Sequence, residues 1–264
     1  MNWGRVQALV LRYTFLYTRS VPRVLEVFFW PVMDLIVWGL VTQYLETAPF
    51  KVPGIIKFLI GAMIFWDILY RAQQGVTLAF LEDIWARNLL NIFVAPVRLS
   101  EFVVATYLVG LVRITVIVAV LTGLALMLYS FNLFALGWTL IPLFANLIIM
   151  GWAMGMVTTA LIMRWGQASE ALAWGIPFLV QPFCCAFYPL STLPQWLQPI
   201  ALCLPATHVF EGMRAVMAGK GLALSSLLAA FGLNILCLVA AGWFFSFMFD
   251  QARQRGLLAK LGTQ

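Results

Sequence analysis

Charge is scarce in this sequence: Asp, Glu, Lys and Arg make up 10% of 264 residues against 63% hydrophobic ones, and the mean hydropathy is +0.96. That balance excludes an ordinary water-soluble domain, in which about a quarter of the residues are charged. Histidine occurs once, and the four cysteines (Cys184, Cys185, Cys203, Cys237) show no CxxC spacing. This pattern supports neither a zinc site nor a disulfide framework, and the adjacent Cys184 and Cys185 read as small hydrophobes. A nucleotide-binding loop is also missing. GMRAVMAGK, from Gly212 to Lys220, separates its glycines by six residues where a phosphate loop needs four, and Gly221 stands where the loop needs Ser or Thr. The net charge of +6 could suggest nucleic acid, but the arginines sit at the ends of apolar segments instead of forming a solvated stripe, so no nucleic-acid partner is expected. The first twenty or so residues lack a short apolar core followed by small residues, so the first membrane helix is expected to be its own targeting signal.

What the sequence does have is long apolar runs. A helix rises about 1.5 Å per residue and the hydrocarbon core is about 30 Å thick, so runs of roughly twenty residues are the unit of crossing. Six runs are present, near Val24 to Leu45, Ile55 to Phe80, Phe102 to Tyr129, Leu133 to Met163, Ala171 to Pro189 and Leu224 to Phe249. Backbone groups in lipid must be satisfied internally and the runs lack the alternation of barrel strands, which predicts an all-α polytopic membrane protein with six transmembrane helices. With the N-terminus inside, the inner segments carry Arg5, Arg12, Arg19, Arg23, Arg87, Arg98, Arg164, Arg253, Arg255 and Lys260, and the outer ones only Lys51, Lys57, Arg214 and Lys220. The asymmetry of positive charge predicts cytoplasmic termini.

Residues 1–23 read as an amphipathic interface helix. Arg5, Arg12, Arg19 and Arg23 are seven, seven and four residues apart and share one face, while Trp3, Val6, Val10, Tyr13 and Tyr17 lie on another. The competing reading is a basic flank that only sets orientation. Between the second and third runs, residues 81–97 mix charge, amides and large apolar residues before Pro96, as expected of a short inner helix. Glu82 and Asp83 suit a protein partner there better than anionic headgroups. The proline-broken segment 189–223 is expected to form short helices dipping into the outer interface. Within it, His208, Glu211 and Arg214 are three residues apart, which suits a hydrogen-bonded structural cluster better than catalysis.

Asp34, Asp67, Arg71 and Arg113 fall inside the apolar runs, where an ionisable group costs at least about 2.5–3.5 kcal/mol unless paired or hydrated. They are expected to find one another, Asp67 with Arg71 at four residues and Asp34 with Arg113 at comparable depth. Three readings stand: a neutral packing network, the lining of a substrate path or gate, and a proton relay in a secondary transporter. Gly151 and Gly155 form a GxxxG, expected to pack within the subunit.

EDIWARNLLNIFVAPVR (82–98) and FYPLSTLPQWLQPIALCLPATHVFEGMR (187–214), together with the basic N-terminus, resemble the ABC-2 type permease family of exporters over nearly the whole chain. The resemblance implies the type V permease fold, with interface helix, coupling helix, and outer re-entrant helices before the last span. It also implies a homodimer in a bacterial inner membrane, contacting membrane lipid, with two copies of a separate ABC ATPase subunit. ATP and Mg would bind that partner, leaving this chain with no cofactor and no catalysis of its own. The positions matching the family's ATPase-coupling segment are Glu82, Asp83, Trp85, Arg87, Asn88 and Asn91, and those matching its outer signature are Pro194, Trp196, Pro205, His208, Glu211 and Arg214. Where many members carry a Gly-Thr-Leu type run, this chain has Arg87, Asn88 and Leu89.

Overall fold

The computed structural model describes residues 1–47 and 55–256, whose regular structure is all helical. Lys51, Lys260 and the end of the expected 250–264 tail lie outside those residues. Helix α1 spans Trp3–Thr18 and opens at Asn2, whose side chain accepts from the Gly4 backbone N–H at 3.0 Å. The next helix, α2 (Val21–Thr47), begins after a break at Arg19 and Ser20. Pro22 explains the break: it has no N–H to extend the ladder of α1, yet a proline is tolerated in a helix's first turn. The expected unit of 1–23 is therefore corrected. It ends at Thr18, and Arg23 belongs to α2.

Then follow α3 (Ile55–Trp85), α4 (Leu89–Val94), α5 (Leu99–Tyr129), α6 (Leu140–Trp165), α7 (Leu172–Val180), α8 (Gln198–Leu202), α9 (Pro205–Met217) and α10 (Leu224–Gln254). Among the described residues, four stretches are long and apolar enough to cross a membrane: Val21–Glu46, Leu99–Tyr129, Leu133–Trp165 and Leu224–Gln254. The central helix is α3, 31 residues long, packed against α2, α5 and α6 with Ile64, Phe65, Leu69 and Leu81 fully buried. Its closest crossing is with α6. A Cβ added to Gly151 would lie 2.6 Å from the Leu69 carbonyl oxygen, and one on Gly155 2.7 Å from that of Gln73. The GxxxG thus lets two backbones approach within one subunit, where small residues allow the closest packing.

The expected fifth span, Ala171 to Pro189, is not one helix. Its regular part, α7, has nine residues, a rise of about 14 Å, under half the apolar thickness. Pro182 cannot continue the ladder past Val180, and the chain turns through residues 181–188, with Cys185 at φ 53. Segment 189–223 contains the short helices α8 and α9. Helix α9 is buried against α6 and α10, and its Phe210 ring lies 6.4 Å from Phe65 of α3.

Polar groups inside the bundle tie these pieces together. Pro177 has no N–H, so the carbonyl of Ala173, four residues earlier, lacks its ladder partner. Gln73 and Gln74 of α3 both donate to it, at 3.2 and 3.0 Å. Asn234 of α10 donates to the Asn146 side chain of α6 at 2.8 Å. These amides hold helices where an apolar contact alone gives little drive, since lipid is as apolar as leucine.

Candidate functional site

Two features converge at one end of α3. The first is a polar clasp that fastens α1. Asp83 is 1% exposed. Its carboxylate accepts from the Arg12 guanidinium and, at 2.6 Å, from the Tyr13 hydroxyl. One turn along α1, Tyr17 donates to Glu82 at 2.7 Å and accepts from Arg113 of α5 at 2.9 Å. The Arg113 guanidinium also lies 4.3 Å from the Tyr17 ring centre, within cation–π range. At the other end of α1, the Asn2 backbone N–H donates to Glu101 at 2.6 Å, and Arg5 stands 3.7 Å from the same carboxylate.

Burial pushes the Tyr13 phenol well above its ordinary range, and the neighbouring Asp83 carboxylate adds to the effect. Burial raises Tyr17 too, against the opposing charge of Arg113. For Arg12 burial acts downward, but the hydrogen bond and charge of Asp83 outweigh it and the net shift is upward. The phenols therefore stay protonated donors and the guanidinium stays charged, as the clasp requires.

Within this chain Glu82 and Asp83 are engaged by α1. The expected helix 81–97 is corrected: residues 81–85 complete α3 and only Leu89–Val94 form the short α4. Between them Asn88 donates its backbone N–H to the Asp83 carbonyl and Arg87 to that of Ile84, both at 2.9 Å, with Arg87 at φ 52. This double bond pattern is a Schellman turn, whose left-handed position glycine usually fills. Trp85, Arg87 and Asn91 are exposed and Asn88 is half-buried. Trp85 donates to Glu170 at 3.3 Å, and Asn91 to Asn88 at 2.9 Å.

The second feature is a cleft of about 710 Å³ walled by α2, α3, α5 and α7. Tyr17, Glu82, Trp85 and Arg113 line it at the clasp, and Asp34, Asp67 and Arg71 line it farther along α2 and α3. Arg71 pairs with Asp67 at 3.2 Å. The expected pairing of Asp34 with Arg113 does not form, because the hydroxyl and ring of Tyr17 take up Arg113. Asp34 is exposed within the cleft, and among the described residues no cation contacts it directly.

The remaining arginines of the N-terminal segment do not act as one face. Arg19 lies 5.0 Å from the Phe15 ring centre, and Arg23 donates to the Leu16 carbonyl at 3.3 Å. In segment 189–223, Arg214 pairs with Glu211 at 2.8 Å and donates to the Cys185 carbonyl at 2.9 Å, and Glu211 accepts the Leu190 N–H at 2.7 Å. These bonds fasten α9 to the turns after α7. His208 stands apart from the pair and bonds the Leu202 carbonyl at 2.9 Å. Pro205 opens α9 and is buried, whereas Pro194 and Trp196 lie on the exterior side of the segment, with Trp196 72% exposed.

The clasp tyrosines are what sequence reasoning missed. Their i, i+4 spacing placed both on the apolar stripe, and the signal overlooked was their polar tips, which seek partners when buried. Among known families, the profile described as ABC-2 type transporter matches residues 7–218. No curated protein matches the chain.

Proposed function

We propose, from the premise that the chain belongs to the ABC-2 type transporter family and is the permease component of an ABC transporter, that it is an exporter subunit acting as a homodimer. Two copies of a separate ATPase subunit supply hydrolysis of Mg-bound ATP, and this chain moves a lipidic, glycan or drug-like substrate outward by alternating access. The observation that carries the reading is the continuity of clasp and cleft. Tyr17, Glu82 and Arg113 belong to both, so a push on the end of α3 or on α1 reaches the walls of the cleft directly. A two-state change in such a packed contact is how a displacement at one site becomes a rearrangement at another.

In a bacterial inner membrane the termini face the cytoplasm, by the placement of arginines. Helices α2, α3, α5, α6 and α10 make five crossings. The broken stretch from α7 to α9 makes the sixth, with its irregular backbone covered by protein as membrane depth requires. The ATPase meets Trp85, Arg87, Asn88 and Asn91, the members of the coupling segment that the clasp leaves free.

The test is reconstitution with the ATPase encoded nearest this gene. Co-purification and ATP-dependent movement of substrate into inside-out vesicles are expected. Transport driven by a proton gradient with no ATP and no bound ATPase would replace this reading with a secondary transporter that uses the buried Asp67–Arg71 pair.

A further inference from the structure

The cleft lining has an uneven charge balance: four carboxylates, Glu26, Asp34, Asp67 and Glu82, against three guanidiniums, those of Arg23, Arg71 and Arg113. Arg71 is committed to Asp67 on its own helix, which leaves the Asp34 carboxylate without a direct counter-ion. Only the charge of Arg71, already paired elsewhere, acts on it through space, so a bound group of opposite sign would stabilise a carboxylate at this depth. The groups around Asp34 are aromatic. Trp30 and Trp38 stand one turn before and after it on the same face of α2, and Trp66 and Trp174 complete the wall from α3 and α7. Indole faces attract cations most strongly of the aromatic rings, and more so when water is excluded. From this juxtaposition of a free carboxylate and four indoles in one cleft, we infer that the cleft binds a lipophilic cation, an ammonium or quaternary ammonium group on an apolar body, with Asp34 as its counter-ion.

The inference rests on the cleft being the permease's substrate route, and it names the class of substrate. An anion is disfavoured there by both Asp34 and the indole faces. The apolar body of the ligand is accommodated by the same rings and by Met63 and Phe178.

The test uses two probe ions of nearly equal size and shape and opposite sign, tetraphenylphosphonium and tetraphenylborate. Each is measured by equilibrium binding to the complete permease–ATPase complex in nanodiscs of phosphatidylglycerol, against protein-free discs. Saturable binding of tetraphenylphosphonium alone is expected. Asp34→Asn weakens it about tenfold, the scale of one desolvated cation contact, while Asp34→Glu retains it. Equal binding of both ions, no saturable binding of the cation, or undiminished binding by Asp34→Asn overturns the inference. The comparison of the two ions on the unaltered protein needs no variant, so misfolding of Asp34→Asn leaves the test decisive. Adding phosphatidylethanolamine distinguishes the natural source: displacement of the probe assigns an ammonium headgroup of the membrane, and indifference assigns a free cation. ATPase association is read in the same preparation, so failure of the permease reading shows itself separately.

Discussion

At the scale of single residues, Arg113 marks the difference between depth and contact. It sits inside an apolar helix like Asp34, but its side chain reaches the Tyr17 hydroxyl and ring and stands beside Glu82. Arg113→Ala should destabilise the subunit by about 1.5–3 kcal/mol, the range for a hydrogen bond to a charged group. Neutralising Glu82 should restore part of that loss, because the Glu82 Oε2 atom is already buried without a partner. Thermal unfolding of Arg113→Ala, with and without Glu82→Gln, measures this, and rescue by Asp34→Asn instead would contradict the geometry. The sequence made the charges visible and their partners invisible. Tyr17 contributes a ring to an apolar stripe and a hydroxyl to a polar network, and only the docked position of α1 reveals the second role. Arg87 was legible as a departure from a family glycine, but its left-handed backbone became apparent only with the turn that requires it.

At the scale of elements, the apolar runs that became α2, α5, α6 and α10 were readable because each is long and apolar enough to cross a membrane. Segments that are not uniform misled. Arginine spacing ran across the Ser20–Pro22 break as if the helix did too, and the apolar character of Ala171 to Pro189 concealed that Pro177 and Pro182 divide it. The contact between α3 and α6 gives the clearest expectation at this scale. Gly155→Leu forces a side chain into the Gln73 carbonyl, at a cost of about 3 kcal/mol or more. Gly123→Leu, where nothing lies within 4 Å of the added Cβ, should be tolerated. Folded yield by size-exclusion chromatography compares the two, and equal yields would mean the helices do not cross this closely.

At the scale of the whole molecule, the family match and the clasp divide the end of the bundle into an inward-facing and an outward-facing set. Glu82→Lys with Asp83→Lys should release α1 and lower folded yield before any partner is met. Arg87→Glu with Asn91→Glu should leave the subunit's melting temperature unchanged while reducing ATPase co-purification at least severalfold. The reverse pattern would place the ATPase on the clasp itself.

The clasp also has a consequence in time. Asn2 meets Glu101, a partner 99 residues later in the chain, and Tyr17 meets Arg113, 96 residues later. At ribosomal speeds of roughly 5–20 residues per second, the first helix waits about 5–20 seconds for the segment that receives it. Glu82 and Asp83 are made within that interval, 65 residues after Tyr17 and 71 after Arg12, so the clasp can close on its α3 side first and be complete while α6 to α10 are still to be made.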